Sequence, residues 1–536
     1  MGAYINKGNK GFEKYISQEY VDKTGLIAYI NHTLNSANML TCVTRPRRFG
    51  KSIAANMLCA YYDKSCDSSV LFDKYEIAGD ASYREHLNKY PTIFLDITKF
   101  TTKYEGRDDL LEIIFTEVAQ DVKNEYPDID YPSDDIMDVL YRVSNHTHDR
   151  FVFIIDEWDA LCREFDDKPY LLDKYVNLLR RMFKTSDTAE VFAGVYMTGI
   201  LPIKKYGTQS ALNDFREYSM TTPGPLAQYI GFTDDEVKAL AEKHCGDYEE
   251  LKLWYDGYEL DSFNWKDLKS KPKKVAIYNP NSVMTAIRNK SCDNYWSKTE
   301  SFESLQRYID CNFTGVQEKI EDLISGKSID VRVFTFGNDL VSIKNDDELF
   351  TLLIHLGYLV YDSGRLEAKL PNQEIRQEFI IALRNSKSHV ELAQLVRSSD
   401  KILRALWVLD GEFVAAGIQE IHNHKIAPIH YNNEQSLRTT VRFALLSAVD
   451  YYLEIQELPA GKGYADIVYV PRYNSGRPAL VVELKWNDTA EAAIAQIKRQ
   501  EYPETLKSFQ GDILLVGVNY DKDTKEHTCQ IEKIQK

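Results

Sequence analysis

A strand that runs into Gly50-Lys51-Ser52 and leaves as a helix gives a chain few folds to choose from. Met39 to Val43 is an apolar run of strand length, and after the triplet Ile53, Ala54, Met57, Leu58 and Tyr61 recur at helical spacing. In that setting successive backbone N–H groups and the helix N-terminus face an anion. The lysine reaches the outer phosphates, and the serine hydroxyl takes Mg²⁺. Arg45 stands where the usual G-x-x-x-x-G-K-[ST] pattern has its first glycine. The pattern alone therefore leaves open a basic turn that merely contains Gly-Lys-Ser. Arg47 and Arg48, in the same loop, join Gly50, Lys51 and Ser52 as candidate nucleotide contacts.

A second motif supports the first. Phe151 to Ile155 is five apolar residues ending in Asp156-Glu157, about a hundred residues after Lys51, with the apolar strand Pro91–Ile97 between them in sequence. An aspartate there holds the Mg²⁺ water shell, and a glutamate orients or deprotonates the attacking water. Val191 to Thr198 is a further strand, and Thr198 stands where such a site senses the γ-phosphate, with a strand capped by a turn as the competing reading. Strands alternating with helices imply a parallel α/β sheet with its ligand at the carboxyl ends of the strands.

The remaining sequence narrows the class. The 536 residues suffice for two to four domains. No run approaches 18 apolar residues, so no membrane span is expected. Nothing reads as a signal peptide, and the eight scattered cysteines fit reduced thiols in a cytoplasm. Net charge is −16, from 65 basic and 81 acidic residues, which disfavours a surface that binds nucleic acid all over. Residues 431–536 hold 13 Lys and Arg against 15 Asp and Glu, so that end lacks most of the acidic excess. From about Pro225 to Leu409 the pattern is mainly helical. Its aromatic clusters, Trp254-Tyr255-Asp256-Gly257-Tyr258, Tyr278-Asn279-Pro280 and Tyr295-Trp296, read first as packing.

A second chemical constellation lies near the C-terminus. Glu434 opens a helix with Leu437, Val441, Leu445 and Ala448 on its apolar face. Glu454 to Leu458, Asp466 to Val470, Ala479 to Trp486 and Ile513 to Val518 read as strands, with a turn at Gly461-Lys462-Gly463. Side chains alternate along ALVVELKW, so Glu483 and Lys485 share a face. Asp466 reaches that face if the two strands pair as a hairpin. Two carboxylates beside a lysine fit a Mg²⁺ phosphodiesterase site. Asp466 and Glu483 would hold the metal, and Lys485 would orient the water or offset developing charge. The competing reading is an ion pair of Glu483 and Lys485 on a half-exposed strand.

Both constellations carry a family resemblance. Thr44 to Ser52, with Val21-Asp22-Lys23 before it and Asp156-Glu157 after it, resembles the AAA-ATPase-like proteins of bacteria. The Trp254–Tyr258 and Tyr278–Pro280 blocks look like later parts of the same family. An arginine at the first glycine position is ordinary there. Gly463, Asp466, Glu483-Leu484-Lys485 and Gln496 resemble the PD-(D/E)XK nuclease superfamily domain often fused behind this ATPase, with Ala465 at the variable proline position. The resemblance implies an α/β chain in three parts. These are a P-loop ATPase of the additional-strand type (1–225), a mainly helical linker or lid (226–410) and a restriction-endonuclease-like domain (411–536). It assigns ATPase roles to Lys51, Ser52, Asp156 and Glu157, and nuclease roles to Asp466, Glu483 and Lys485. Glu434 would add to the metal shell, and Gln496 matches the glutamine of the following helix. Tyr502 lies farther from that glutamine than the family's tyrosine does, so its DNA contact is not carried over. Arg180, Arg181 and Arg216 are the arginines available as fingers.

The cofactors expected are ATP and Mg²⁺. The partners expected are ATP and nucleic acid, DNA ahead of RNA, with no membrane and with a homo-oligomer left open. The competing function is a nucleotide-driven switch whose nuclease-like domain only binds nucleic acid or a protein.

Overall fold

The computed structural model describes residues 2–534 apart from 166–167, 186, 204, 207–208, 211, 213, 268, 297–301, 312, 338–342, 424–433, 461–462, 473–474, 501–505, 507–508 and 510. Tyr502 and the Gly461-Lys462 turn lie outside the described residues. The chain is mixed α/β and divides into two compact units. One is Met1–Ile287 with Asp330–Ala368, the other Arg288–Ile329 with Lys369–Lys536.

The first unit is built on five strands, β1 (Leu40–Thr44), β2 (Thr92–Asp96), β3 (Phe151–Asp156), β4 (Phe192–Gly199) and β5 (Arg216–Tyr218). All pair in parallel, in the order β2-β3-β4-β1-β5. Every residue of β1, β3 and β4 is buried, as expected of apolar strands covered on both faces. Helix α1 (Lys51–Tyr62) follows the loop after β1. Helices α2 (Leu110–Glu125), α3 (Ile136–Thr147) and α4 (Pro169–Phe183) pack apolar residues against the sheet. From α2, Leu110, Leu111, Ile114, Phe115, Val118, Ala119 and Val122 are buried, the i, i+3, i+4 stripe of an amphipathic helix. The four strands read from sequence lie within a residue of their observed limits. β5 was not anticipated, because Arg-Glu-Tyr carries no apolar run.

Register decides where the chemistry falls. Asp96 pairs with Asp156, Asp156 with Thr198, Thr198 with Val43, and Val43 with Tyr218. These five residues therefore stand level across the carboxyl edge of the sheet, and the Gly-Lys-Ser loop leaves directly above them.

The middle of the chain is helical, as expected, but also holds short strands, among them Tyr258–Ser262 paired antiparallel with Lys273–Tyr278. Trp254, Tyr255, Tyr258 and Tyr278 are all buried, in keeping with the packing reading of these aromatics.

In the second unit, α5 (Glu434–Ala444) precedes a five-stranded sheet of β6 (Tyr452–Ala460), β7 (Gly463–Pro471), β8 (Ala479–Trp486), β9 (Ile513–Asp521) and β10 (Glu526–Ile534), ordered as numbered. Only β8 and β9 pair in parallel, bridged by α6 (Ala490–Gln500). β10 was not anticipated. Its burial alternates irregularly and it lies at the sheet edge, so its sequence carries little apolar periodicity. Gly517 of β9 lies under α6. A Cβ added there would collide with the Ala490 carbonyl and sit 3.0 Å from the Ala493 methyl.

Candidate functional site

The phosphate-type loop is shaped by its backbone. Gly50 takes φ +96°, with open space where a Cβ would stand. Arg48 takes φ +65° and Glu157 φ +53°, left-handed conformations in non-glycine residues. Each costs about 1–3 kcal/mol, and such residues concentrate where a site over-determines the backbone. Arg45 is fully buried. Its Nη1 donates to the Thr44 carbonyl at 2.8 Å and to the Tyr218 carbonyl at 3.0 Å, tying the start of the loop to β5. Burial pushes its guanidinium down to about 10. At the first glycine position, then, the arginine is a strut under the loop. Arg47 and Arg48 are exposed. Arg48 donates to Asn281 Oδ1 at 3.3 Å, and the Phe49 ring meets Tyr258 edge-on with centroids 5.4 Å apart. The later sequence blocks thus reach the loop.

Lys51 is buried. Its Nζ donates to the Pro46 carbonyl at 3.1 Å and lies 3.5 Å from Glu157 Oε1. Ser52 lies close enough to Asp156 to favour its ionised form. Burial pushes the Asp156 carboxyl up to about 7, with Glu157 and Asp96 adding to the rise and Ser52 and Lys51 opposing it. Asp156 Oδ1 is buried with no hydrogen-bond partner among the described residues. An acid in that state accommodates a cation. Thr198 is placed level with Asp156, but its hydroxyl donates to the Val43 carbonyl at 2.9 Å and the residue is fully buried.

Three residues here had no sequence signal. Asp96 stands beside Asp156 at the end of β2. Arg163 donates to Glu157 Oε2 at 2.5 Å and to Asp159 Oδ2 at 3.1 Å. Asp159, fully buried, accepts the amides of Ile200 and Leu201, clasping the turn after β4. Single charged residues have no period, and only the fold brings them in. Of the three candidate fingers, Arg181 pairs with Asp135 at 2.7 Å, and Arg180 and Arg216 are exposed.

The second constellation also assembles. Ile467 pairs with Val482 across the antiparallel pair of β7 and β8, and Asp466 is the next residue along β7 beyond that pairing. Asp466 Oδ2 accepts the Leu484 amide at 2.8 Å. Lys485 Nζ lies 3.4 Å from Glu483 Oε1 and donates to Gln496 Oε1 at 2.6 Å, while the Gln496 amide donates to Glu483 Oε1. Glu483, Lys485 and Gln496 therefore share one face, as alternation requires. Burial pushes the Glu483 carboxyl up to about 7. Asp466 and Glu434 add to the rise and Lys485 opposes it, so Glu434 lies within electrostatic reach. Arg438, missed in the sequence, donates to Asp466 Oδ1 at 2.7 Å.

Among the described residues no group of three or more His, Cys, Asp or Glu side chains is arranged to hold a metal. The fit to a divalent ion rests on Glu483 Oε2, buried and without a hydrogen-bond partner among the described residues, beside Asp466. A buried carboxylate oxygen with no donor is costly unless a cation meets it.

Residues 7–208 match the family model for predicted AAA-ATPases, and residues 432–529 match the model for the PD-(D/E)XK nuclease superfamily. No curated protein matches the chain. Among solved structures, the chain is similar to the replication initiator DnaA bound to AMPPCP and single-stranded DNA. That match has TM-score 0.28 and 11% identity, over 77% of this chain and 97% of the other. It is also similar to the Aeropyrum pernix ORC2 protein in ADPNP and ADP complexes, with TM-score 0.29 and 10% identity, over 72% of this chain and 99% of the other. No helix among the described residues is long and apolar enough to cross a membrane.

Proposed function

We propose that this chain, an AAA-ATPase-like module followed by a PD-(D/E)XK nuclease superfamily domain, binds and hydrolyses ATP and cleaves nucleic-acid phosphodiester bonds. The working boundaries are 1–225 for the ATPase and 411–536 for the nuclease. The observation that carries the reading is the completeness of both acid sets. Lys51, Ser52, Asp156 and Glu157 converge at one sheet edge. Asp466, Glu483 and Lys485 converge on one pair of strands.

At the first site Lys51 would meet the outer phosphates, Ser52 and Asp156 would hold Mg²⁺, and Glu157 would take a proton from the attacking water. At the second site Asp466 and Glu483 would hold a divalent ion, with the exposed Glu434 within electrostatic reach. When bound, such an ion supplies hydroxide near neutral pH and offsets charge on the phosphate. Lys485 is held by Glu483 and Gln496 toward the same face, where it orients the water and meets developing charge. The substrate favoured is DNA.

The test is incubation of the purified chain with plasmid DNA and with RNA, in Mg²⁺, with and without ATP. Cleavage that Glu483→Ala removes supports the reading. If the chain binds nucleic acid, cuts neither substrate and still hydrolyses ATP, the nuclease-like domain is a binding module within a nucleotide switch.

A further inference from the structure

Both oxygens of Asp466 are already engaged. Oδ2 holds the Leu484 amide and Oδ1 holds the Arg438 guanidinium. The amide belongs to the neighbouring strand and stays in place. The guanidinium ends a long side chain on α5, four residues after Glu434, so both residues lie on one helix face. Arg438 and Asp466 are each largely buried, with side-chain exposures of 13% and 12%. Beside them Glu483 Oε2 has no hydrogen-bond partner among the described residues. Among the described residues the cluster pairs Asp466 with Arg438 and Glu483 with Lys485, and the exposed Glu434 lies within electrostatic reach. A guanidinium and a divalent ion on the same carboxylate would repel each other strongly in so dry a place.

We propose that Arg438 is a counter-ion latch on Asp466, keeping divalent-ion affinity low until a phosphodiester backbone enters. The inference rests on the proposed nuclease reading. A planar guanidinium forks onto phosphate as well as onto carboxylate. An arriving phosphate therefore gives Arg438 another partner and frees Asp466 Oδ1. Loading of the ion and binding of the backbone are then coupled, and the coupling is reciprocal. Arg438 acts as a positioning residue, through Asp466.

The experiment is calorimetric titration of Mn²⁺ into the full chain without nucleotide, alone and with a phosphorothioate DNA duplex that resists cleavage. Wild type should bind Mn²⁺ weakly alone, and about tenfold or more tightly with duplex, the scale of one charge-assisted hydrogen bond. Arg438→Gln should bind Mn²⁺ more tightly than wild type without duplex, and the duplex should add little. Arg438→Lys, which keeps the charge and loses the fork, should fall between. It also tests the latch if Arg438→Gln does not fold. Arg438→Gln or Arg438→Lys binding Mn²⁺ no tighter than wild type overturns the latch, as does a duplex that leaves wild-type affinity unchanged. Glu483→Ala separates the two failures. If it loses Mn²⁺ while the Arg438 variants match wild type, the site stands and the latch falls. If it binds Mn²⁺ like wild type, the site reading itself is wrong.

Discussion

At the scale of single residues, the motifs announced the acids and bases but not the groups that hold them. Lys51, Asp156, Glu157, Asp466, Glu483 and Lys485 could be read because each sits beside a strand or a glycine that gives it a position. Arg163, Asp159, Asp96 and Arg438 could not, since nothing local marks a lone charge. Thr198 shows what a residue type leaves out, namely its rotamer. Its hydroxyl is spent on the Val43 carbonyl, so Thr198→Val should lower stability by about 1 kcal/mol in a denaturant melt. ATP turnover should change little in the same variant. Lys51→Ala removes a buried cation, and Mg-ATP affinity measured by calorimetry should fall roughly tenfold or more. Glu157→Gln should keep ATP binding and slow hydrolysis by about 10² or more, because the water loses its base. Equal ATP affinity in Lys51→Ala and wild type would refute the nucleotide site. At the second site, Lys485→Ala should slow cleavage by about 10² while Mn²⁺ affinity holds, since the lysine acts on water and transition state.

At the scale of elements, the strands of the two sheets were legible where burial on both faces made them uniformly apolar. The two that escaped, Arg216–Tyr218 and Glu526–Ile534, are edge strands, and an edge needs no such composition. The nuclease-like site depends on three elements holding register, namely β7, β8 and α6. Gly517 sets the distance of α6 from the sheet, because any larger residue meets the Ala490 carbonyl. Gly517→Val should cost about 1–3 kcal/mol by overpacking. It should also lift Gln496 off Glu483 and Lys485, so cleavage falls while ATP hydrolysis persists. Cleavage and melting temperature equal to wild type would show that α6 does not position the site.

At the scale of the whole molecule, composition and motif order gave the class and the sequence of parts. The two compact units were not legible, because the middle segment contributes to both and carries no linker signal. The second unit has its own pH signature. Glu454 is buried between Arg376 at 2.7 Å and Arg442 at 2.6 Å. Burial alone would push its carboxyl up, but the two guanidiniums outweigh that and hold it down at about 2, from an ordinary 4.5. The folded value lies below the unfolded one. The stabilisation is therefore present above about pH 4.5 and is lost as pH falls toward 2. Glu454→Gln should cost ~3 kcal/mol at neutral pH by leaving two buried arginines short of their acid, and should flatten that acid dependence. A melt of Glu454→Gln that matches wild type from pH 7 to 3 would refute this. The place of β1 has a consequence of another kind. It lies between β4 and β5, so the strand that launches the Gly-Lys-Ser loop gains its neighbours only roughly 150 residues later in synthesis. During translation the loop waits, without its final backbone, until Tyr218 has left the ribosome. A nascent chain halted before that point lacks the Tyr218 carbonyl that Arg45 uses to anchor the loop, and one halted before Asp466 lacks the second constellation. The order of manufacture thus completes the Gly-Lys-Ser site before the strands that carry Asp466 and Glu483 exist.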